Sequence, residues 1–275
     1  MTLRGLVVTG DGYAASVVLL KAFEVNSHVN RVLIIGSAPD AVAIKDWDLS
    51  VFSSRIAINN AWQLRADWDY LIYPEDFPET RLPEMSGQTS QRLVTAQDYV
   101  PVQNRYGGFV YAGGTMALTA AYWALGALNP DLIAFIGCDM VYTSEPGQST
   151  HFYGKGTADP LRADVTLQSL EAKTARLMSS AHRQDCELVN LSQLPESRLL
   201  FPRRSLKDIE SDGRALPDMN SRMQVFNPDT VAKASRMEEE LGYLVPSGRY
   251  WEVSEDFDKL KLQAIDSMWL KALQN

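Results

Sequence analysis

The chain has 275 residues, long enough to bury a full core and at the upper edge of what one domain holds before it splits. Apolar residues make up 45% and charged residues 22%, which excludes a disordered or fibrous chain. With 34 Asp and Glu against 26 Lys and Arg, the net charge of -8 provides no chain-wide positive field, which excludes nucleic acid as a general partner but leaves room for a nucleotide held at a local site.

In chain order, Gly5 to Glu24 reads as strand (Leu6 to Val8), glycine-containing turn (Thr9-Gly10-Asp11-Gly12) and helix. It lacks the third glycine and the acidic residue of a dinucleotide fingerprint, so an added edge strand and helix is the expectation. No long apolar stretch follows a basic region there, so it does not read as a signal peptide, and no segment reaches the ~20 apolar residues of a membrane helix. Arg31 to Ile35, the run Arg-Val-Leu-Ile-Ile closed by Gly36, is too short for a helix and reads as a buried parallel strand. Further strands are expected at Arg55 to Ile58, Tyr70 to Tyr73, Leu132 to Ile136 and Glu187 to Val189. Helices are expected at Gly114 to Leu128 and Thr166 to His182, where apolar residues recur at spacings of three and four. Residues 74–104, rich in Pro, Glu, Ser, Thr and Gln, read as a long connection of the kind that is functional or mobile. Beyond Phe201, prolines punctuate short helical pieces that end in an amphipathic helix from Glu255 to Leu273. Strands alternating with helices give the fold class: α/β, a doubly wound, mainly parallel, Rossmann-like sheet over residues 1–200 with a helical C-terminal appendage over 201–275. That appendage can pack on the core or join subunits into a homo-oligomer. Cys138 and Cys186 sit in separate apolar runs without metal-type spacing and read as reduced core thiols, which points to a cytoplasmic protein.

Candidate binding residues lie where strands end. Gly36-Ser37-Ala38 forms a turn directly after a buried strand, where amides and a hydroxyl can reach a phosphate or ribose; such turns are also plain connectors. Asn59 and Asn60 close the next strand and can bond a base or sugar hydroxyl, or cap the following helix. Gly113-Gly114-Thr115 opens a strong helix, either as a second anion seat or for tight packing. Asp139 and Tyr142 follow the fourth strand. His151, in Thr-His-Phe-Tyr-Gly-Lys, stands beside glycine, aromatic and basic residues and is the best acid–base candidate, whereas His28 and His182 read as structural or solvated.

The order of these pieces, strand-Gly-Ser-Ala-Pro, strand-Asn-Asn, Gly-Gly-Thr opening a helix, strand-Gly-Cys-Asp and His-Phe-Tyr-Gly, resembles glycosyltransferase family 42, the CMP-sialic acid dependent sialyltransferases of bacteria, over residues 31–200. A similar order occurs in the related group of motility accessory glycosyltransferases and archaeal hydroxymethylpterin pyrophosphokinases. The resemblance implies a GT-A-like fold and a metal-independent inverting transfer from a CMP-activated sugar, the donor being substrate with no further cofactor. The acceptor would be a glycan or glycolipid, reached from the cytosolic side, with peripheral membrane association one way to reach it. The Gly36 turn and Asn59 would hold CMP, Gly114 and Thr115 would approach its phosphate or the sugar carboxylate, and Tyr142 and Tyr153 would bond the leaving phosphate oxygen. Lys155 stands where the family has its histidine base, so either His151 takes that role, or the acceptor differs, or activity is lost. Two alternatives remain open. One is magnesium-dependent pyrophosphoryl transfer from ATP to a pterin, with Asp139 and Asp76 helping to hold the metal; the other is a non-catalytic nucleotide-binding protein.

Overall fold

The run Arg31–Ile35 is buried at every position and forms β1, the centre of the sheet. The computed structural model describes residues 29–85, 87, 90–141, 150–154, 164–211 and 226–273; the elements expected over 5–24, together with Tyr142 and Lys155, lie outside these. β1 pairs with β2 (Ser54–Ile58) on one side and with β5 (Leu132–Ile136) on the other; β3 (Tyr70–Ile72), β4 (Arg92–Val94) and β6 (Glu187–Asn190) complete a six-stranded sheet in the order β4-β3-β2-β1-β5-β6. Every pairing is parallel, with Ile35 opposite Ile136 at the carboxyl end.

A sheet covered on both faces needs apolar side chains pointing both ways, which is why β1 and β5 read as continuous hydrophobic runs. Val32, Ile34, Ile133 and Phe135 enter one core, while Leu33, Ile35, Ala134 and Ile136 enter the other. Each large side chain fully removed from water contributes about 1.5–3 kcal/mol. The first core is covered by α1 (Ala96–Arg105), the single turn α2 (Phe109–Ala112), α3 (Met116–Leu128) and α4 (Leu170–His182); the second, by short 3-10 segments at Pro39–Asp46 and Asn59–Leu64 and by α5 (Leu206–Ser211). Cys138 and Cys186 are both buried, as their apolar surroundings suggested.

Two stretches differ from the sequence reading. Residues 74–104 are not one irregular connection, because they hold β4 and α1, whose start is fixed by a capping box between Thr95 and Asp98. The strand is three residues long and at the sheet edge, and the helix carries Pro101, so neither leaves a strong periodic trace. The final helix begins later than expected: a 3-10 segment, Tyr250–Asp256, precedes α7 (Lys259–Ala272), which Asp258 caps by accepting the Leu260 and Lys261 amides. Before it, α6 (Pro228–Leu241) is capped by Asn227 and stopped by Gly242 at φ 67°.

α6 and α7 pack on the core through α4. The Arg176 guanidinium of α4 donates at 2.8 Å to both carboxylate oxygens of Glu238 in α6 and at 2.9 Å to the Tyr122 hydroxyl. The Trp269 indole of α7 donates to the same Glu238 at 2.6 Å, and Lys173 of α4 pairs with Asp266 of α7 at 2.8 Å. Burial works against the Arg176 charge, but Glu238 and Tyr122 outweigh it and hold the group above its ordinary value. Among the described residues no helix is long and apolar enough to cross a membrane.

Candidate functional site

The strand order runs outward in both directions from the β1–β5 pair, so the connections leaving the carboxyl ends of these two strands diverge and open a crevice between them. The Gly36 turn lies at that crevice, and its geometry separates the two roles its residues could have. The Gly36 amide donates to the Ile136 carbonyl at 2.8 Å and the Ala38 amide to the Gly137 carbonyl at 3.0 Å, prolonging the sheet ladder. A Cβ on Gly36 would lie 2.2 Å from the Gly137 oxygen, so close approach of the two turns requires glycine there. Ser37 alone in the turn keeps its amide and hydroxyl without partners among the described residues.

Beside the crevice, Asn59 adopts φ 52° at the end of β2 and buries its Oδ1 with no partner, and neither it nor Asn60 caps the segment that follows. Asp139 is 1% exposed; its Oδ1 accepts from the Asn190 side chain at 2.9 Å, tying the end of β5 to that of β6, while Oδ2 has no partner. Asp40 faces it with both oxygens also unpartnered; burial, with Asp139 adding to it, raises the Asp40 carboxyl above its ordinary value despite the nearby Ser192 hydroxyl.

The α3 N-terminus meets the same edge. Thr115 caps the helix, accepting from the Leu118 amide, and its hydroxyl contacts the Met140 sulfur at 3.5 Å, next to the β5 turn. The first amides of an α-helix have no intrahelical acceptor and carry partial positive charge. Gly113 is at φ 90°, and a Cβ on Gly114 would fall 2.3 Å from the Tyr250 hydroxyl, so the glycine pair admits a residue of the C-terminal segment close to the helix start.

His151 is brought to the crevice by a backbone bond. The tight turn 151–154 closes on itself between His151 and Gly154, and the Phe152 amide donates to the Ser37 carbonyl at 2.9 Å. Nδ1 of His151 lies 2.8 Å from the Thr150 hydroxyl, and its ring stacks on Tyr153 at 5.0 Å. Burial lowers the imidazole below its ordinary value, which favours the neutral, proton-accepting form. The expected residues Gly36, Ser37, Ala38, Asp139, His151 and Tyr153 thus gather around the β1–β5 crevice, with Thr115 adjoining through Met140.

A second space opens between the end of β3, α1, the start of α3 and residues 247–259, a cavity of about 670 Å³. The sequence reading placed only Gly114 and Asp76 among its lining residues. Tyr250 lines it: its hydroxyl donates to Asp164 at 2.7 Å, Asp164 also accepts from Thr166, and the Thr166 hydroxyl in turn accepts from the Gly114 amide. Tyr99, 5% exposed, is pushed up to about 12 by burial, with Glu75 and Asp76 adding to the effect. Arg249 bridges the mouth to Glu75 at 3.4 Å. No motif announces Tyr250 or Arg249; the proline-punctuated tail offered only its aromatic cluster, Tyr250-Trp251.

Asp76 and Asp139 are not brought together as a pair of metal ligands, since Asp76 follows β3 and Asp139 follows β5, three strand spacings away, about 14 Å. Among the described residues no group of three or more His, Cys, Asp or Glu side chains is placed to share a metal ion.

Fold and site together define a doubly wound α/β protein whose candidate functional groups gather at the carboxyl edge of its parallel sheet. No family model, curated protein or solved structure matches the chain.

Proposed function

We propose that this protein is a glycosyltransferase that moves a sugar from a CMP-activated donor to a glycan or glycolipid acceptor by inverting displacement. The observation that supports it most is the bond from the Phe152 amide to the Ser37 carbonyl, because it ties the short turn that carries the half-buried His151 to the turn best suited to a phosphate. In this reading His151 takes the proton from the acceptor hydroxyl as that oxygen bonds to the anomeric carbon. The bond from that carbon to the donor phosphate breaks, and CMP leaves with the electron pair. The amide and hydroxyl of Ser37 and the α3 N-terminus around Thr115 offset the charge that develops on the phosphate. Tyr153, stacked on His151, is placed to orient it.

A second reading, magnesium-dependent pyrophosphoryl transfer, is favoured by the buried, partnerless Oδ2 of Asp139 beside the Asp40 carboxyl, since two carboxylates held close together call for a proton or a cation. One experiment separates the two readings: thermal stability measured against CMP, CDP, UDP, GDP and ATP, each with and without magnesium, because a ligand bound only by the native state raises Tm. A rise with CMP that is independent of the metal is expected, together with CMP release from CMP-sialic acid that is lost in H151A. A rise with ATP that requires magnesium would replace the first reading with the second.

A further inference from the structure

We propose that the 670 Å³ cavity closed by residues 247–259 is a binding site for an uncharged, hydroxyl-bearing ring, and that in the transferase it is the acceptor that enters there rather than the anionic donor. The volume suits a small organic ligand, and such sites combine mostly apolar walls with a few placed polar groups. The walls here follow that pattern. Tyr99, Phe109, Tyr250 and Phe257 are buried aromatics, Phe109 and Tyr250 stacked with centroids 6.1 Å apart, and Trp251, 55% exposed, stands at the mouth.

One polar group in the wall has no role in the fold. Thr119, at the end of the first turn of α3, is 1% exposed, lines the cavity, and its hydroxyl has no hydrogen-bond partner among the described residues. A helical threonine ordinarily bonds back to a carbonyl of the preceding turn. A buried hydroxyl that forgoes this bond carries a desolvation penalty that a ligand hydroxyl, able both to donate and to accept, would relieve.

Charge then selects the ligand class. Among the described residues, four carboxylates line the cavity, Glu75, Asp76, Asp164 and Glu255, against two cations, Arg249 and Lys259. Arg249 is engaged with Glu75 at 3.4 Å and with Glu252 at 3.7 Å. Asp164 accepts from Thr166 and Tyr250, so its hydrogen-bonding capacity is taken up within the fold while its carboxylate adds to the excess of negative charge around the cavity. An anion meets repulsion on entry, whereas a neutral ring finds flat apolar faces and one unpartnered hydroxyl. As a binding site the cavity stands on these observations alone; as an acceptor site it rests on the transferase reading.

The test is calorimetric titration of the full chain with phenyl β-glucoside, phenyl β-galactoside and phenyl β-glucuronide, of which only the last carries a carboxylate. At least one neutral glycoside is expected to bind, and to bind at least about fivefold more tightly than the glucuronide, the effect of one like charge near 4 Å in water. T119V, close in shape to the wild type, should weaken that binding roughly three- to tenfold, the value of one hydrogen bond, and T119S should restore it. No binding by any neutral glycoside, equal binding of the glucuronide, or unchanged affinity in T119V would each overturn the assignment. The CMP thermal shift on the same sample keeps the two proposals apart. A CMP response without glycoside binding removes only the cavity assignment, and glycoside binding without a CMP response leaves the cavity standing while removing the transferase.

Discussion

Replacing Glu238 with alanine removes the partner of a buried cation. Arg176 is 7% and Glu238 8% exposed, and the carboxylate accepts two guanidinium bonds at 2.8 Å and the Trp269 indole at 2.6 Å. Breaking such a pair from one side leaves an uncompensated buried charge, at a cost of about 3–5 kcal/mol. Tyr122 and the Tyr106 carbonyl keep two of the Arg176 bonds, which holds the loss within that range rather than above it. In urea denaturation followed by circular dichroism, E238A should unfold at a lower midpoint, equivalent to a fall in Tm of roughly 10 °C. The double variant R176M/E238L removes both charges and keeps apolar volume, so it should recover most of the loss. A cost in E238A below about 1 kcal/mol, or a double variant no more stable than the single, would refute the claim that an isolated buried cation sets the penalty.

Two further predictions concern the crevice. NMR titration should place the His151 pKa below the ordinary 6.5; since the folded value is depressed, the stability this group contributes is present above 6.5 and is lost as pH falls through the folded value, and a pKa at or above 6.5 would contradict its burial. G36A should lose about 1–3 kcal/mol and its CMP thermal shift together, because the new methyl would meet the Gly137 oxygen, backbone that cannot step aside; wild-type stability in urea would show that the turns have room.

Strand positions were legible in the sequence because a doubly covered parallel sheet demands unbroken apolar runs, and Arg31–Ile35 and Leu132–Ile136 carry them. The crevice was legible for a related reason: when strands are known, the residues after their carboxyl ends are known too, and Ser37 and Asp139 follow, while Thr115 was legible as the residue that opens a strongly apolar helix. What each glycine does was not. Gly36 gives room to Gly137, and Gly114 to Tyr250, through contacts of 101 and 136 positions in sequence that no local pattern encodes. The cavity was missed for the same cause, since its walls come from elements scattered between residues 74 and 259. β4 and α1 were missed because a three-residue edge strand and a proline-bearing helix are too short or too polar to stand out, although the Thr95–Asp98 capping box marks the helix start.

The two cations that α4 buries also bear on the order in which the chain can fold. Glu238 lies 62 residues beyond Arg176, and Asp266 lies 93 beyond Lys173. During synthesis at about 5–20 residues per second, α4 leaves the ribosome seconds before the carboxylates that neutralise it. The sheet can assemble in that interval, but the outer face of α4 cannot be sealed, and it stays hydrated until both later helices arrive. Closure of the cavity, whose wall lies between α6 and α7, is therefore placed at the end of folding.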